Sequence, residues 1–272
     1  MITLNANGRL LTLDRPRVMG ILNRTPDSFY SGSRVTDDTH LLQQAEKMIR
    51  EGADILDIGG QSTRPQAEQL GEEEELRRVV GAIRLLHRQW PEMPISIDTW
   101  YARVAREAVA AGASLVNDIS GGTLDPDMLA TVGRLRVPYV CMHTKGTPAT
   151  MNKEAVYENV VREVLDFFIR RIEDCRRAGI HDCILDPGFG FAKTAAHNFT
   201  LLRHLSLFRL TGKPILLGVS RKSTIYRTLG ITPEEALNGT TVLHTIGLLN
   251  GADILRVHDV KEAREAITLF SK

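Results

Sequence analysis

The chain is poor in cysteine, and its three cysteines suit neither a disulfide framework nor a zinc site. Cys141, Cys175 and Cys183 are the only cysteines among 272 residues, and none belongs to a Cys-x-x-Cys pair. This pattern argues against a fold organised by disulfides or structural zinc. Free thiols in a chain of this size instead indicate a reducing compartment.

The sequence also lacks an excess of charge of either sign and any long apolar run. Lysine and arginine together number 34 against 33 acidic residues, for a formal net charge of +1, so nothing in the composition attracts nucleic acid or an anionic membrane. No apolar run approaches the roughly 18–20 residues of a membrane span. The first residues, MITLNANGRLLTLD, do not resemble a signal peptide. We therefore expect a cytoplasmic protein whose partners are small molecules.

What the sequence does contain is a series of short apolar runs that end in polar residues. In PILLGVSRKS, at 214–223, residues 215–219 suit a strand buried on both faces and are followed by Ser220, Arg221, Lys222 and Ser223. Seven other runs end similarly, at 18–23, 54–60, 95–99, 115–120, 139–143, 184–188 and 254–260. Eight buried strands separated by helical patterns predict an α/β fold, a (β/α)8 TIM barrel with its site at the C-terminal ends of the strands.

The start of the chain predicts an additional element. The Asn-Gly pair at 7–8 lies between two short strand patterns at 2–4 and 9–13, which is typical of a β-hairpin. Such a hairpin would close the bottom of the barrel. Because no linker or low-complexity segment interrupts the pattern, we expect residues 1–272 to form a single domain.

Three polar residues at predicted strand ends, Asp98, Asn117 and Asp186, would point into one pocket. A carboxylate that faces an N–H beside an exocyclic amino group accepts two parallel hydrogen bonds, as it does from arginine. Asparagine adds a donor and an acceptor. Together they suit a flat 2-aminopyrimidinone such as a pterin or guanine. The alternative is that these residues only cap the following helices, which is our interpretation of Asp125 at the start of the fourth helix.

A second group is predicted where the eighth strand closes against the first. Arg256 and His258 would converge there with Asn23. An arginine, a histidine and an amide suit a phosphate or diphosphate, and the amide oxygen could take Mg2+. The four glutamates at 72–75 could also serve a metal, but we interpret them as the solvated first turn of a helix, where the dipole favours negative charge.

Lys222 has two interpretations besides surface solvation. Its amine could form a Schiff base, as in barrel aldolases. It could instead be a fixed cation that holds a ring carbonyl. The flanking Arg221 and the acidic groups nearby favour the fixed cation.

Eight motifs contain most of these polar residues. They are NRTPDSF at 23–29, DIGGQSTRP at 57–65, SIDT at 96–99, NDISG at 117–121, MHTKGTP at 142–148, DPGFGF at 186–191, SRKS at 220–223 and RVHDV at 256–260. In this order, along nearly the whole chain, they resemble the dihydropteroate synthase family of pterin-binding TIM barrels. The resemblance implies a transferase of folate biosynthesis, which joins 6-hydroxymethyl-7,8-dihydropterin diphosphate to p-aminobenzoate and releases diphosphate and 7,8-dihydropteroate.

Residue by residue, the resemblance implies three sub-sites and a set of catalytic groups. The residues that would bind the pterin are Asp98, Asn117, Met142, Asp186, Phe191, Gly218 and Lys222. The p-aminobenzoate pocket would be formed by Phe29, Thr63, Arg64, Pro65 and Ser223. Diphosphate would be bound by Asn23, Arg64, Arg256 and His258, with Asn23 also a ligand of the Mg2+ cofactor. The catalytic groups would be Asn23, Lys222, Arg256 and His258.

The mechanism implied by the family is dissociative. Diphosphate leaves first, stabilised by Mg2+, Arg256 and His258, and the arylamine then attacks the methylene carbon of the remaining pterin cation. Such catalysis relies on leaving-group stabilisation and positioning, and it needs no strong base. The resemblance also implies a homodimer and a target of sulfonamides.

The chain departs from the family's pattern mainly in its loops. Ser31 stands where an aspartate is usual, and Ser33, Gln61, Gln66 and Ala192 also differ from the commoner residues. Losing the carboxylate at position 31 would weaken closure over the cation, or change how p-aminobenzoate and its sulfonamide mimics are held.

Other functions remain open at this point. A pterin-dependent methyltransferase on a related barrel would need the pterin-binding residues and a corrinoid methyl acceptor. A non-catalytic pterin-binding relative would need only the pocket. A Schiff-base aldolase is a more distant alternative, which borohydride trapping on Lys222 would test.

Overall fold

The computed structural model describes residues 2–24, 34–61, 70–147, 150–151 and 153–272. The first two strands, β1 (Ile2–Ala6) and β2 (Arg9–Leu13), form the predicted antiparallel hairpin. Its turn residues Asn7 and Gly8 both have positive φ, 56° and 86°, as a two-residue turn of type I′ requires. Four hairpin side chains are buried against the inward-facing residues of the barrel floor: Leu4, Ala6, Leu11 and Leu13. The hairpin thus closes the bottom of the barrel, as predicted.

Eight parallel strands follow the hairpin. They are β3 (Arg17–Asn23), β4 (Ile55–Gly59), β5 (Ile95–Asp98), β6 (Leu115–Asp118), β7 (Tyr139–Met142), β8 (Cys183–Asp186), β9 (Leu216–Leu217) and β10 (Ile254–Val257). They pair in the order β8-β7-β6-β5-β4-β3-β10-β9, and a parallel bridge between Leu185 and Ile215 joins the two ends. The predicted TIM barrel is confirmed. The pairing of β10 with β3 also confirms that the eighth predicted strand neighbours the first.

Helices surround the barrel. They are α1 (Arg34–Arg50), α2 (Glu72–Gln89), α3 (Ala102–Ala110), α4 (Met128–Leu135), α5 (Val160–Arg177), α6 (Ala195–Arg203), α7 (Ser223–Leu229), α8 (Leu237–Leu249) and α9 (Val260–Phe270). A 3₁₀ helix at Leu205–Thr211, which the sequence pattern did not predict, follows α6. In the described part of the chain, no helix combines the length and apolarity that crossing a membrane requires.

The alternation of side chains along the strands separates an apolar floor from a polar layer. Seven inward-facing residues pack on the hairpin: Met19, Ile55, Leu115, Val140, Ile184, Leu216 and Ile254. Because side chains on the same face of a strand recur every second residue, the next inward positions include Asp57, Asn117, Asp186 and Arg256. Outward residues such as Leu56 join the larger core under the helices. The barrel therefore presents charged and amide groups above an apolar base.

The acidic first turn of α2 differs from the prediction at one residue. Glu75 has no exposed surface, and Gln61 Nε2 donates a hydrogen bond to its Oε2 at 2.5 Å. Burial raises the pKa of Glu75, and hydrogen bonds from Thr99 and Gln61 oppose the shift. The interpretation of a solvated turn is therefore wrong for Glu75. The reason is helical spacing, since Glu75 lies four residues before the buried Val79 and shares its face.

The predicted cap of the fourth helix serves a different helix. Asp125 Oδ2 accepts a hydrogen bond of 2.7 Å from the backbone N–H of Ala102, the first residue of α3. Its Oδ1 accepts from the N–H of Asp127 at 2.9 Å, within a turn that precedes α4. The capping role is thus retained, but the local sequence pattern assigned it to the wrong helix.

A stability prediction follows from the close contact between α4 and the end of α5. A Cβ added at Gly133 would lie 1.8 Å from the carbonyl oxygen of Ala178, so Gly133→Ala must push backbone apart. We expect it to lower the free energy of unfolding by about 1–3 kcal/mol. Gly81→Ala in α2 is the matched control, because a Cβ there meets nothing within 4 Å and should stabilise the helix by roughly 0.5–1 kcal/mol. If urea unfolding showed that the free energy of unfolding changes in the same direction in both variants, this explanation would be wrong.

Candidate active site

Arg256, on β10, is the central positive group of the barrel mouth. Its Nε donates to Asp57 Oδ2 and its Nη2 donates to Asp98 Oδ2, both at 2.6 Å. The Asp57 side chain is fully buried, and those of Asp98 and Arg256 are 10% and 15% exposed. Burial lowers the pKa of Arg256, but the charges of Asp57 and Asp98 outweigh that effect and the net shift is upward. Arg256 is therefore held charged between two carboxylates.

Asn117 joins this group from β6. Its Nδ2 donates to Asp57 Oδ2 at 3.1 Å, and its Cα is in register with that of Asp98 on the neighbouring strand. Burial raises the pKa of Asp98 to about 7, opposed by Arg256 and reinforced by the charge of Asp57. The predicted pterin residues Asp98 and Asn117 thus lie side by side, as their positions at strand ends implied.

Asp186 and Lys222 meet on the opposite side of the mouth, over Gly218. A Cβ on Gly218 would lie 3.6 Å from Lys222 Nζ and 3.9 Å from Asp186 Oδ2, so the glycine keeps space open between the two charged groups. Asp186 Oδ1 accepts a hydrogen bond from the N–H of Gly188 at 2.8 Å. Burial raises the pKa of Asp186, and the charge of Lys222 opposes that shift.

The Lys222 ammonium is fixed from two further directions. It donates to the carbonyl oxygen of Phe189 at 2.6 Å and lies 4.8 Å from the centre of the Phe191 ring. Burial lowers the pKa of Lys222 to about 8, while Asp186 and Asp98 oppose the shift. These contacts support the fixed-cation interpretation made from the sequence.

An apolar wall borders the charged groups. Met142 and Phe191 belong to a small buried cluster, whose other members are Trp100, Ile119, Met151 and Ala192. Because the Phe191 ring lies beside Lys222, apolar surface borders the charged groups, and we call the space between them the slot. A flat heteroaromatic ring suits such a slot, because its faces are apolar and its edge carries hydrogen-bonding groups.

Asn23 and His258 lie at the rim. Asn23 is exposed at the end of β3, and a Cβ on Gly59 would lie 3.7 Å from both Asn23 Oδ1 and Asp98 Oδ2. Ser220 Oγ accepts from the N–H of His258 at 3.1 Å and lies 3.0 Å from its Nδ1. The hydroxyl and Nδ1 share a hydrogen bond that orients the imidazole ring of His258.

The rim residues also bear on the predicted cofactor. Within the described ranges, no cluster of three or more His, Cys, Asp and Glu side chains could hold a metal ion. Mg2+ is often bound by one or two protein oxygens together with substrate phosphates and water. The amide oxygen of Asn23, beside the buried carboxylate of Asp98, fits that arrangement and would not form a metal site without substrate. The Mg2+ assignment stays a prediction.

Comparison with known proteins connects this geometry to a family. A sequence model of the pterin-binding enzymes matches residues 19–258. The dihydropteroate synthase of Synechocystis sp. is 46% identical over 250 residues, covering 91% of this chain and 86% of that protein. The chain belongs to the dihydropteroate synthase family. The predictions of family membership and of a transferase are therefore confirmed.

Two solved structures of the same family are similar over nearly the whole chain. The Xanthomonas albilineans dihydropteroate synthase with 4-aminobenzoic acid gives a TM-score of 0.92 at 43% identity, covering 99% of this chain and 97% of that one. The same organism's enzyme in complex with 7,8-dihydropteroate gives a TM-score of 0.89 at 41% identity, with 99% and 98% covered.

Most of the predicted p-aminobenzoate residues of this dihydropteroate synthase family member fall outside the described ranges. This applies to Phe29, Thr63, Arg64 and Pro65, and to the loop departures Ser31, Ser33 and Gln66. Ser223 is described, as the half-buried first residue of α7 directly after Lys222. The roles assigned to these residues stay predictions.

Another loop departure has a visible backbone consequence. Ala192 has a φ of 47°, a left-handed conformation that glycine adopts at little cost and alanine does not. Glycine, the residue that the family resemblance implies at this position, would avoid that strain. Ala192 is nevertheless buried in the apolar wall, so its methyl group adds packing at the position where it strains the backbone.

The structure corrects one argument and adds one residue. Arg221 does not flank the Lys222 ammonium, because it forms a two-bond ion pair with Asp259 at 2.8 and 2.9 Å. It therefore gives no support for the role of Lys222. Asp57, by contrast, lies in the predicted strand run at 54–60 and has no role among the predicted site residues, although it contacts both Asn117 and Arg256. The sequence feature that could have indicated Asp57 is a charged residue inside a run that otherwise suits a strand buried on both faces.

Proposed function

We propose that this chain condenses 6-hydroxymethyl-7,8-dihydropterin diphosphate with p-aminobenzoate, giving 7,8-dihydropteroate and diphosphate. The observation that carries the proposal is the convergence of Asp98, Asn117, Asp186 and Lys222 on one slot with apolar walls. Relatives with bound 4-aminobenzoic acid and 7,8-dihydropteroate support the same reaction.

In this proposal the pterin is recognised by adjacent acceptor and donor groups. The Asp186 carboxylate accepts from the N–H and the exocyclic amino group of the ring. Because Lys222 Nζ lies beside Asp186 across Gly218, it meets the ring carbonyl next to that edge. Asp98 and Asn117 contact further ring nitrogens, while Met142 and Phe191 pack on the faces.

The diphosphate is placed at the rim, where the positive and hydrogen-bonding groups lie. Arg256 and the His258 ring stabilise the charge that develops on the leaving diphosphate, which is the main contribution to rate in a dissociative reaction. Asn23 would hold Mg2+ through its amide oxygen, and the bound ion would neutralise phosphate charge. The arylamine then attacks the methylene carbon of the pterin cation, and no strong base is required.

The experiment that tests the proposal follows both products of the full-length chain. Pterin diphosphate and p-aminobenzoate are supplied with Mg2+, dihydropteroate is measured by chromatography, and diphosphate release is measured in parallel. We expect equal amounts of both products, and a loss of both when EDTA removes the metal. Binding of the pterin diphosphate without product would favour a non-catalytic relative, and the absence of binding would overturn the proposal.

The pH dependence of pterin binding is a further prediction. Binding needs Asp98 ionised and Lys222 protonated, and burial shifts their pKa values to about 7 and about 8, with Arg256 opposing the first shift and Asp186 the second. Below about pH 7 Asp98 gains a proton and loses an acceptor, and above about pH 8 Lys222 loses its charge. The affinity for 6-hydroxymethylpterin should therefore peak between these values in a fluorescence titration.

A matched variant distinguishes the titration of Lys222 from a titration of the pterin itself. Lys222→Arg keeps the positive charge far above pH 8, since guanidinium groups stay protonated. Its affinity should be lower because of the changed shape, but the decline above pH 8 should disappear. If the decline remained unchanged, the upper limb would belong to the ligand and not to Lys222.

We also propose that the protein is a cytoplasmic homodimer and a sulfonamide target. Apolar residues exposed on α8 and α9, including Leu249 and Leu269 at 72% and 77%, support an interface between outer helices. Free thiols at all three cysteines agree with a reducing compartment.

Two measurements test the dimer and the sulfonamide site. Sedimentation of the protein should give twice the mass of one chain. A sulfonamide should compete with p-aminobenzoate in the assay of dihydropteroate formation. A monomer at micromolar concentration would contradict the dimer.

A further inference from the structure

The proposed roles of Asp98 and Arg256 meet at one carboxylate oxygen. Asp98 is proposed to accept a hydrogen bond from the pterin ring, and Arg256 to bind the diphosphate. Yet the Nη2 of Arg256 already donates to Asp98 Oδ2 at 2.6 Å. A ring N–H that binds this same oxygen would compete with Arg256 for it.

Asp57 offers Arg256 an alternative partner. Its Oδ2 accepts from Arg256 Nε at 2.6 Å and from Asn117 Nδ2 at 3.1 Å. Its Oδ1 is buried and has no hydrogen-bond partner among the described residues. A buried carboxylate oxygen without a donor is costly, so this oxygen is a ready acceptor for a second guanidinium N–H.

Arginine has the geometry to use it. The Nε–H and one Nη2–H point in parallel and match the two oxygens of a single carboxylate. In the observed bridge Nε and Nη2 each bind a different aspartate, and a two-bond pair with Asp57 alone would move Nη2 from Asp98 Oδ2 to Asp57 Oδ1. The second pair would leave Nη1 and the outer Nη2–H for another ligand.

This inference rests on the proposed function. We infer that Asp57 is a positioning residue, which binds Arg256 when the pterin displaces Arg256 from Asp98. Binding of the pterin would thereby prepare Arg256 for the diphosphate. Asp57 contacts neither substrate. It keeps the buried positive charge paired in both arrangements and fixes which edge of the guanidinium faces the anion. Pterin binding and diphosphate binding are therefore coupled through one side chain.

The wild-type protein tests the coupling without any variant. Calorimetry would measure the affinity for inorganic pyrophosphate with Mg2+, first alone and then with 6-hydroxymethylpterin at saturation. We expect pyrophosphate to bind at least fivefold more tightly with the pterin present, and the pterin to gain the same factor from pyrophosphate. Failure to bind either probe would count against the proposed function. Binding of both without coupling would leave the function intact and overturn this inference.

The variant Asp57→Asn tests the residue itself. Its amide can accept from Arg256 Nε, but its NH2 group cannot accept from Nη2, so Arg256 stays on Asp98. We expect pterin affinity to fall about tenfold, the coupling factor to drop to near one, and pyrophosphate alone to bind as well as before or better. A merely structural defect would weaken both ligands equally.

Asp118→Asn is the matched control, because Asp118 is also a fully buried strand-end aspartate. It faces outward, and its carboxylate accepts from Ser120, Gly122 and Tyr139. This variant should keep the affinities and the coupling of the wild type. Unchanged coupling in Asp57→Asn, or equal loss of coupling in Asp118→Asn, would overturn the inference. If Asp57→Asn does not fold, the wild-type coupling still decides it.

Discussion

Asp186→Asn is expected to lower the affinity for the pterin about 100-fold with little change in stability. The substitution replaces one carboxylate oxygen with an NH2 group that faces a donor of the ring, so one charge-assisted hydrogen bond becomes a repulsion. Such bonds contribute about 1.5–3 kcal/mol each, and about 2.7 kcal/mol corresponds to the 100-fold loss. Fluorescence titration with 6-hydroxymethylpterin measures this directly.

Stability distinguishes this loss from misfolding. Burial raises the pKa of Asp186 and the charge of Lys222 opposes that shift, so a neutral amide removes the cost of a buried carboxylate and also its attraction to Lys222, two changes of opposite sign. We expect the free energy of unfolding, measured by urea titration, to stay within about 1 kcal/mol of the wild type. Asp118→Asn should show the opposite pattern, with stability reduced by roughly 1–3 kcal/mol and pterin affinity kept. Retained affinity in Asp186→Asn would remove Asp186 from the pterin site.

The contrast between Asp186 and Asp118 shows what the sequence could predict. Both are the last residue of a short buried strand, Asp186 directly after Leu185 and Asp118 directly after Asn117. The period of two along each strand decides which faces inward, and that period is visible once the strand boundaries are known. The barrel, its hairpin and the convergence of Asp98, Asn117, Asp186 and Lys222 followed from this regularity.

The features that the sequence did not predict depend on contacts between distant segments. Asp57 is the charged residue of the run at 54–60, but no neighbouring residue in the sequence indicates a role in the site, and only the approach of Arg256, 199 residues away, shows that role. Glu75 was interpreted as part of a solvated acidic turn, because the dipole rule applies to a whole turn and does not identify the residue that faces the core. Arg221 was misjudged because neighbouring residues on a turn point in different directions.

Arg256→Gln is expected to reduce turnover by about 10³-fold and also to destabilise the protein. Loss of an electrostatic stabiliser of a leaving group costs about 10²–10³ in rate, and here the lost group is a full charge. Removing it also leaves Asp57 and Asp98 buried without a counter-ion, which costs about 3–5 kcal/mol. Rapid quench of a single turnover and urea unfolding would measure the two effects separately.

The pH dependence of that instability has a definite sign. Arg256 opposes the rise that burial causes in the pKa of Asp98, so in Arg256→Gln this pKa rises further above its unfolded value near 3.9. A group whose folded pKa is raised contributes stability below its unfolded pKa and loses that contribution as pH rises through the folded pKa. The variant should therefore be less destabilised at pH 5.5 than at pH 8.

The double variant Arg256→Gln/Asp57→Asn separates the catalytic role of Arg256 from its role in pairing buried charge. Neutralising Asp57 removes one of the two unpaired carboxylates, so about half of the lost stability should return. Turnover should stay about 10³ below the wild type, because no positive charge is restored near the leaving group. If turnover recovered together with stability, Arg256 would serve only to neutralise its aspartates, and the diphosphate would be stabilised by His258, Asn23 and the metal without it.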